Sequence, residues 1–340
     1  MLHFRIVFLV ILSVGLMSSH SATGGANAGA SQSVLLVANQ GDRDLSIVDP
    51  QAGQQVATVP EGGVTGHEVA ASPDGRTAYV PLYGNSGVGR PGTDGRKMVV
   101  IDVNARKVVN DLDFGHGVRP HCPMFGPKDG LLYVTTELDN SVTVIDPHTL
   151  KIVGSVPTGQ AESHMLAISH DGRRGYTANV GPGTVSVLDL EARKTIAVVP
   201  ISSKTQRISI SPDDSMVFTS DQAKPQLAVI DTASNKVKTW VPLPGTGYGT
   251  ASTRDGRWLL VAVPPTNQVA VIDLGTLKLV RTIDVPKAPQ EILVRPDNQV
   301  AYVSCNASAK VAAVRLSDWS VEKLIDAGKL ADGLAWAAPQ

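Results

Sequence analysis

The 340-residue chain has only two cysteines, Cys122 and Cys305, so no disulfide scaffold can organise it. Aromatic residues are scarce, at 4%, while Gly, Pro, Val and Asp are plentiful, a balance that suits short strands and many turns. Neither sign of charge prevails: 30 basic residues face 31 acidic ones, which leaves no electrostatic footprint for nucleic acid. No G-x-S-x-G elbow, paired zinc CxxC, phosphate loop or haem-attaching CxxCH occurs. Long apolar runs are missing too, apart from Ile6 to Leu12, which continues with small residues to Met17.

That run follows one positive charge at Arg5 and leads into a Gly/Ala/Ser stretch with small-residue cleavage options, Ala26-Asn27-Ala28 or Ala28-Gly29-Ala30. The pattern is that of a secretory signal peptide, too short for a membrane span. Residues 1–30 are read as signal peptide and linker, and 31–340 as a single mature domain. No cysteine lies near the cleavage region, so no lipid anchor is expected there. The mature protein is read as periplasmic or secreted, soluble and monomeric, with no membrane span and no nucleic-acid partner.

One phrase recurs through the rest: LSIVDPQAGQQV, MVVIDVNARKVV, VTVIDPHTLKIV, VSVLDLEARKTI, LAVIDTASNKVK, VAVIDLGTLKLV and the degenerate AAVRLSDWSVEK. Its aspartates are Asp49, Asp102, Asp146, Asp189, Asp231 and Asp273, spaced 53, 44, 43, 42 and 42 apart, with Arg315 a further 42 on. A second phrase of the ASPDGRTAYV kind precedes each unit after the first. Each repeat holds four short apolar runs parted by turn residues, as in HCPMFG, LLYVTT, SVTVID and IVGSVP. Four strands at a period of about 40 residues describe a propeller blade. The expected fold is an all-β, seven-bladed β-propeller of four-stranded antiparallel blades. The first blade lacks its innermost strand, and ADGLAWAAP matches the missing phrase. Asp332 to Ala337 should therefore pair beside Val34 to Gln40 and close the ring.

These phrases resemble the YVTN-type β-propeller repeat family of exported bacterial proteins, over residues 34 to 339. The name-giving tetrad appears in variant form as Tyr133-Val134-Thr135-Thr136, Tyr176-Thr177-Ala178-Asn179 and Tyr302-Val303-Ser304-Cys305. Such a resemblance implies a fold more than a function.

The repeat also separates structure from chemistry. The six recurring aspartates should cap the turn into the fourth strand by accepting backbone N–H bonds, and those of the SPDG phrases should do the same between strands one and two. What breaks the repeat is a column at the start of the innermost strands: His67, His121, His164, Gln206, Tyr248 and Gln290, with Gly333 from the closing strand. First strands line the channel of a propeller, so this column should converge at one mouth. The same rim carries Glu68, Arg119, Cys122, Glu162, Arg207 and Glu291, and beside it the second blade has a Gly-rich insertion, residues 83–97. The candidate ligand-binding set is His67, Glu68, Arg119, His121, His164, Arg207, Tyr248 and Glu291.

Neutral imidazoles with an open position can hold zinc or copper, so His67, His121 and His164 are candidate metal ligands. Cys122 in a regular strand would point away from the channel towards the next blade. Both cysteines are expected to be free thiols, lying in blades on different sides of the ring. A propeller binding a small molecule or a periplasmic protein at this mouth is the first reading. A metal-dependent enzyme, or a lactonase-like one using His121, Arg119, His164 and Glu291, is the alternative. The haem d1-binding propeller of nitrite reductases is similar in architecture, but no haem c domain is visible ahead of this one. A protein-binding mouth would need exposed anchors, for which Tyr83, Arg90 and Tyr248 are the candidates.

Overall fold

All six aspartates of the first phrase cap their turns in the computed structural model. Asp49 accepts backbone N–H bonds from Gln51 and Ala52, Asp102 from Ala105, Asp146 from His148, Asp189 from Ala192, Asp231 from Ser234 and Asp273 from Thr276, at 2.7–3.0 Å. The second set behaves alike: Asp74, Asp129, Asp171, Asp213, Asp255 and Asp297 each take the N–H two residues on, at 2.9–3.1 Å. Such turns fix hairpin register before any tertiary contact forms. The structure describes residues 1–2 and 32–339, so the expected signal peptide lies outside the described residues. Among the described residues, no helix is long and apolar enough to cross a membrane.

Seven sheets of four antiparallel strands follow one another around a ring. In the third blade the strands run Pro120–Phe125, Leu132–Thr136, Ser141–Asp146 and Lys151–Pro157 from the inside out. The first blade is completed by the closing strand Ala331–Ala337, which pairs with Val34–Asn39 in the register Val34↔Ala337 to Asn39↔Ala331. The expected closure is therefore present. The core lies between blades, where middle strands of neighbours interleave. Leu36 and Ile47 pack with Val80 and Val99, and Leu260 and Val271 with Val303 and Ala312. Burying such a Leu or Ile side chain contributes about 1.5–3 kcal/mol. Outermost strands are mostly exposed, each keeping one buried anchor such as Val156 or Ile283.

The innermost strands are irregular at one place. Their ladder to the second strand skips between Pro120 and Pro123, Ser163 and Met165, Thr205 and Ile208, and Pro289 and Ile292. The closing strand skips between Ala331 and Leu334. The residues inside these bulges are His121-Cys122, His164, Gln206-Arg207, Gln290-Glu291 and Asp332-Gly333. Prolines at 120, 123 and 289 have no N–H for the ladder. Hydroxyls of the second strand take over: Thr135 Oγ1 accepts from Cys122 N–H (2.9 Å) and donates to the His164 carbonyl (2.7 Å), and Ser304 Oγ accepts from Glu291 N–H (3.0 Å). Bulges re-aim side chains beside functional sites, and these five fall on the column that broke the repeat.

Candidate functional site

His67, His121 and His164 meet at one mouth of the channel. The His121 ring centroid lies 5.3 Å from that of His67 and 3.5 Å from that of His164. His121 and His164 are 1% and 2% exposed, whereas His67 is half-buried. Tyr83, wholly buried, sits beside all three at 4.9–5.9 Å between centroids. Its hydroxyl donates to Glu137 Oε2 (2.7 Å), and Glu137 Oε1 pairs with His164 Nδ1. A carboxylate at Nδ1 fixes the proton there, so the lone pair of His164 is on Nε2, which faces the Gln206 amide nitrogen at 3.2 Å. Neither ring nitrogen of His121 has a hydrogen-bond partner. Burial pushes the His67 imidazole down to about 4, helped by neighbouring His164 and Arg207, and holds His121 well below the usual imidazole range for the same reason. Both are neutral at neutral pH, with lone pairs available.

A second cluster crosses the axis beside the first. Arg207, 2% exposed, spans the channel to carboxylates from three other blades: Glu68, Glu291 (2.8 Å) and Asp332 (2.8 Å). Its guanidinium also lies 4.8 Å from the Tyr248 ring centroid. Gln40 donates to the other oxygen of Asp332. Burial raises the Glu68 carboxyl well above its ordinary range, against the pull of Arg207, and raises Glu291 to about 7. Below this plug a cavity of about 310 Å³, walled by Ile208, Ile292 and Val294, reaches the opposite face with Glu291 in its lining. A larger cavity, about 680 Å³, lies elsewhere, between the sixth and seventh blades by Trp258 and Trp319. Its lining carries both signs of charge, Asp255 and Glu322 with Arg257, Arg295 and Arg315, and Arg295 pairs with Asp297 while Arg315 pairs with Asp318 and Glu322.

Arg119 holds the insertion. Its guanidinium donates to Asp94 Oδ1 (2.6 Å) and to the carbonyls of Arg90 (2.8 Å) and Gly87 (3.4 Å). The loop reaches from the second blade as far as Glu162 at the start of the fourth. A Cβ on Gly89, whose φ is +67°, would lie 2.8 Å from Glu162 Oε1. Glycine meets both demands. The loop thus spans the third blade, whose inner strand carries His121. Replacing Arg119 with Met removes three donors while keeping the stem. Cleavage within residues 84–93 by a broad-specificity protease such as subtilisin is expected to quicken several-fold in the otherwise folded protein, read by timed digestion and mass spectrometry. An unchanged rate would mean that the loop is held by something else.

All eight sequence-derived candidates are thus accounted for, in two neighbouring clusters and a clamp: His67, His121 and His164; Glu68, Arg207, Tyr248 and Glu291; and Arg119. His116 stays outside, exposed and paired with Asp139 (2.8 Å). Cys122 turns to the next blade as expected, with Sγ 3.8 Å from the Leu166 carbonyl, and both cysteines are free and buried. Two of the three proposed partner-binding anchors are corrected: Tyr83 is inaccessible and Tyr248 half-buried under Arg207, because each closes the channel.

Glu137 and Asp332 are absent from the sequence-derived set, and Tyr83 enters it only as an exposed anchor. Glu137 and Tyr83 occupy a second column, one residue past the second strand except in the second blade, where the strand Thr77–Gly84 runs on through Tyr83: Gln40, Tyr83, Glu137, Val180, Gln222, Pro264 and Asn306. Glu137 is the one acid in it, a signal that the same repeat comparison contains.

A family model described as Cytochrome D1 heme domain matches residues 92–292, more than half of the chain. The chain belongs to that family. Solved structures agree on the architecture. A hydrazine synthase chain from Kuenenia stuttgartiensis superposes with a TM-score of 0.73 at 19% identity, covering 84% of this chain and 92% of that one. A functionally unknown protein from Desulfotomaculum acetoxidans DSM 771 does so with 0.74 at 16% identity, covering 91% and 100%. At these identities the likeness concerns fold alone. No curated protein matches the sequence.

The Cytochrome D1 heme domain family takes its name from a haem, and the channel here does not fit one. A macrocycle needs an open slot against a ligating imidazole, but His121 is packed on His164, and His67 lies against both His121 and Tyr83. Beside them the axis is crossed by Arg207, the buried cation that acidic haem side chains would need, already shared by three carboxylates.

Proposed function

We propose that the protein is an exported, periplasmic or secreted propeller that binds a small ligand at the histidine-lined mouth, beneath the 83–97 loop. One observation carries this reading: His121 is sealed from solvent with both ring nitrogens unpartnered. Buried polar atoms are paired in the great majority of cases, so two orphans on one ring mark a place where something else supplies the contact. The neighbouring loop, clamped by Arg119, supports a covered site. The burial of Tyr83 and Tyr248 favours a small ligand over a protein partner, which would need exposed anchors.

Native mass spectrometry of the mature protein purified from the periplasm tests this. A bound mass is expected that is missing from His121→Phe, a variant that keeps a ring of similar size but has no nitrogen. A wild-type protein that carries nothing, or a variant that retains the same mass, would sink the reading.

A further inference from the structure

We propose that the ligand is a single late first-row transition-metal ion, copper or zinc, held by ring nitrogens of His67, His121 and His164. The inference rests on the binding reading above and names its chemistry. Four features converge. The first is His121 itself, buried with both nitrogens free. The second is the arrangement around His164: Glu137 grips Nδ1, Tyr83 grips Glu137, and Nε2 faces inward with only the Gln206 amide, at 3.2 Å, for an ion to displace. Metal-ligating histidines characteristically give their other nitrogen to a carboxylate in this way, which orients the ring and raises its basicity.

The third feature is the donor set. Cys122 is turned to the Leu166 carbonyl, and Glu68 is spent on Arg207, so the inward-facing atoms are imidazole nitrogens. Such a set suits copper and zinc, whereas calcium and magnesium require oxygen. The fourth is spacing. Three rings from consecutive blades approach to 3.5–5.3 Å, too close to admit a large molecule and close enough for one ion with donors about 2.0–2.1 Å away.

The His121 ring lies on that of His164 with only a 32° tilt, and no three donors among the described residues stand in ligating geometry. Binding therefore requires His121 to turn so that a ring edge faces the ion. That rotation gives the proposal a spectroscopic consequence.

The experiment starts from mature protein stripped with chelator, titrated separately with Zn2+ and Cu2+. About one ion per chain is expected by elemental mass spectrometry, with nitrogen hyperfine structure in the Cu2+ electron paramagnetic resonance spectrum. His67→Phe and His121→Phe should each lose the site while retaining a cooperative melt. Glu137→Gln should weaken it by roughly 10–100-fold, because it disturbs the orienting shell and not a donor. His170→Ala, which removes an exposed histidine on the opposite face, should change nothing. Absence of stoichiometric binding, or binding that survives His121→Phe, overturns the ion. An organic mass lost in His121→Phe without any metal would overturn the ion and leave the small-ligand reading standing. No adduct of either kind would end both.

Discussion

Deletion of residues 331–340 is expected to abolish the cooperative unfolding transition of the whole propeller. The lost strand is the innermost one of the first blade, although it comes last in the chain. It covers the inner edge of Val34–Asn39, whose residues 35–39 are entirely buried. It also buries Ala331, Leu334, Ala335 and Ala337, and ties the first blade to the second through the Gly333 N–H bond to the His67 carbonyl (2.9 Å). Gly333 is needed there, since a Cβ would lie 2.6 Å from Glu68 Cα. Each net backbone hydrogen bond contributes about 1 kcal/mol, and each fully buried aliphatic side chain about 1.5–3 kcal/mol. Several of each are lost at once, in a domain whose net stability is on the order of 5–15 kcal/mol. Calorimetry should find no sharp endotherm in the truncated chain, and a synthetic 329–340 peptide should restore one by adding the strand back. A truncated protein melting within a few degrees of the full chain would mean that the closure is ornamental.

That closure was legible in the sequence because repeats make position comparable. A phrase missing at one end and present at the other implies a strand that crosses the gap. The turn aspartates were legible for the same reason: six carboxylates in one column are caps, and all six accept backbone N–H bonds. The histidine column was legible as an exception to the repeat. The bulges were not. Pro120 and Pro289 announce a missing donor, but whether the chain kinks by one residue depends on hydroxyls from another strand, such as Thr135 and Ser304. The bulges bring Arg207, Glu291 and Asp332 to the axis, residues that a regular strand would have scattered. Exposure was the other blind spot. Tyr83 in a Gly-rich insertion looks like a surface anchor until the fold places it between three imidazoles and Glu137.

Replacing Arg207 with Met should destabilise the protein by about 3–5 kcal/mol at pH 8, because it leaves three carboxylates buried without their cation. For a domain of this size that is a melting shift on the order of 10 °C. The loss should shrink in acid, and the sign follows from the carboxyls. Burial raises Glu291 to about 7 and Glu68 well above its ordinary range, so the folded state prefers them protonated. A raised carboxyl contributes its full stabilisation below the unfolded value, near 4.5, and loses it as pH climbs through the folded value. Removing Arg207 raises both further, since the guanidinium pulls them down in the native protein. The variant should thus approach wild type near pH 5 and fall away towards pH 8. His67 and His121 run the other way: held neutral by burial, they favour folding above about 6.5 and oppose it as pH falls towards 4. Arg207 helps to hold both imidazoles down, so its removal lets them rise and lightens their acid penalty in the variant, which narrows the difference at low pH in the same direction. Adding Glu68→Gln and Glu291→Gln to the Met variant should flatten the difference, because the uncompensated charge is then gone. A penalty that is equal at pH 5 and pH 8 would assign the loss to packing against Tyr248 and Met165 and take the charge out of the account.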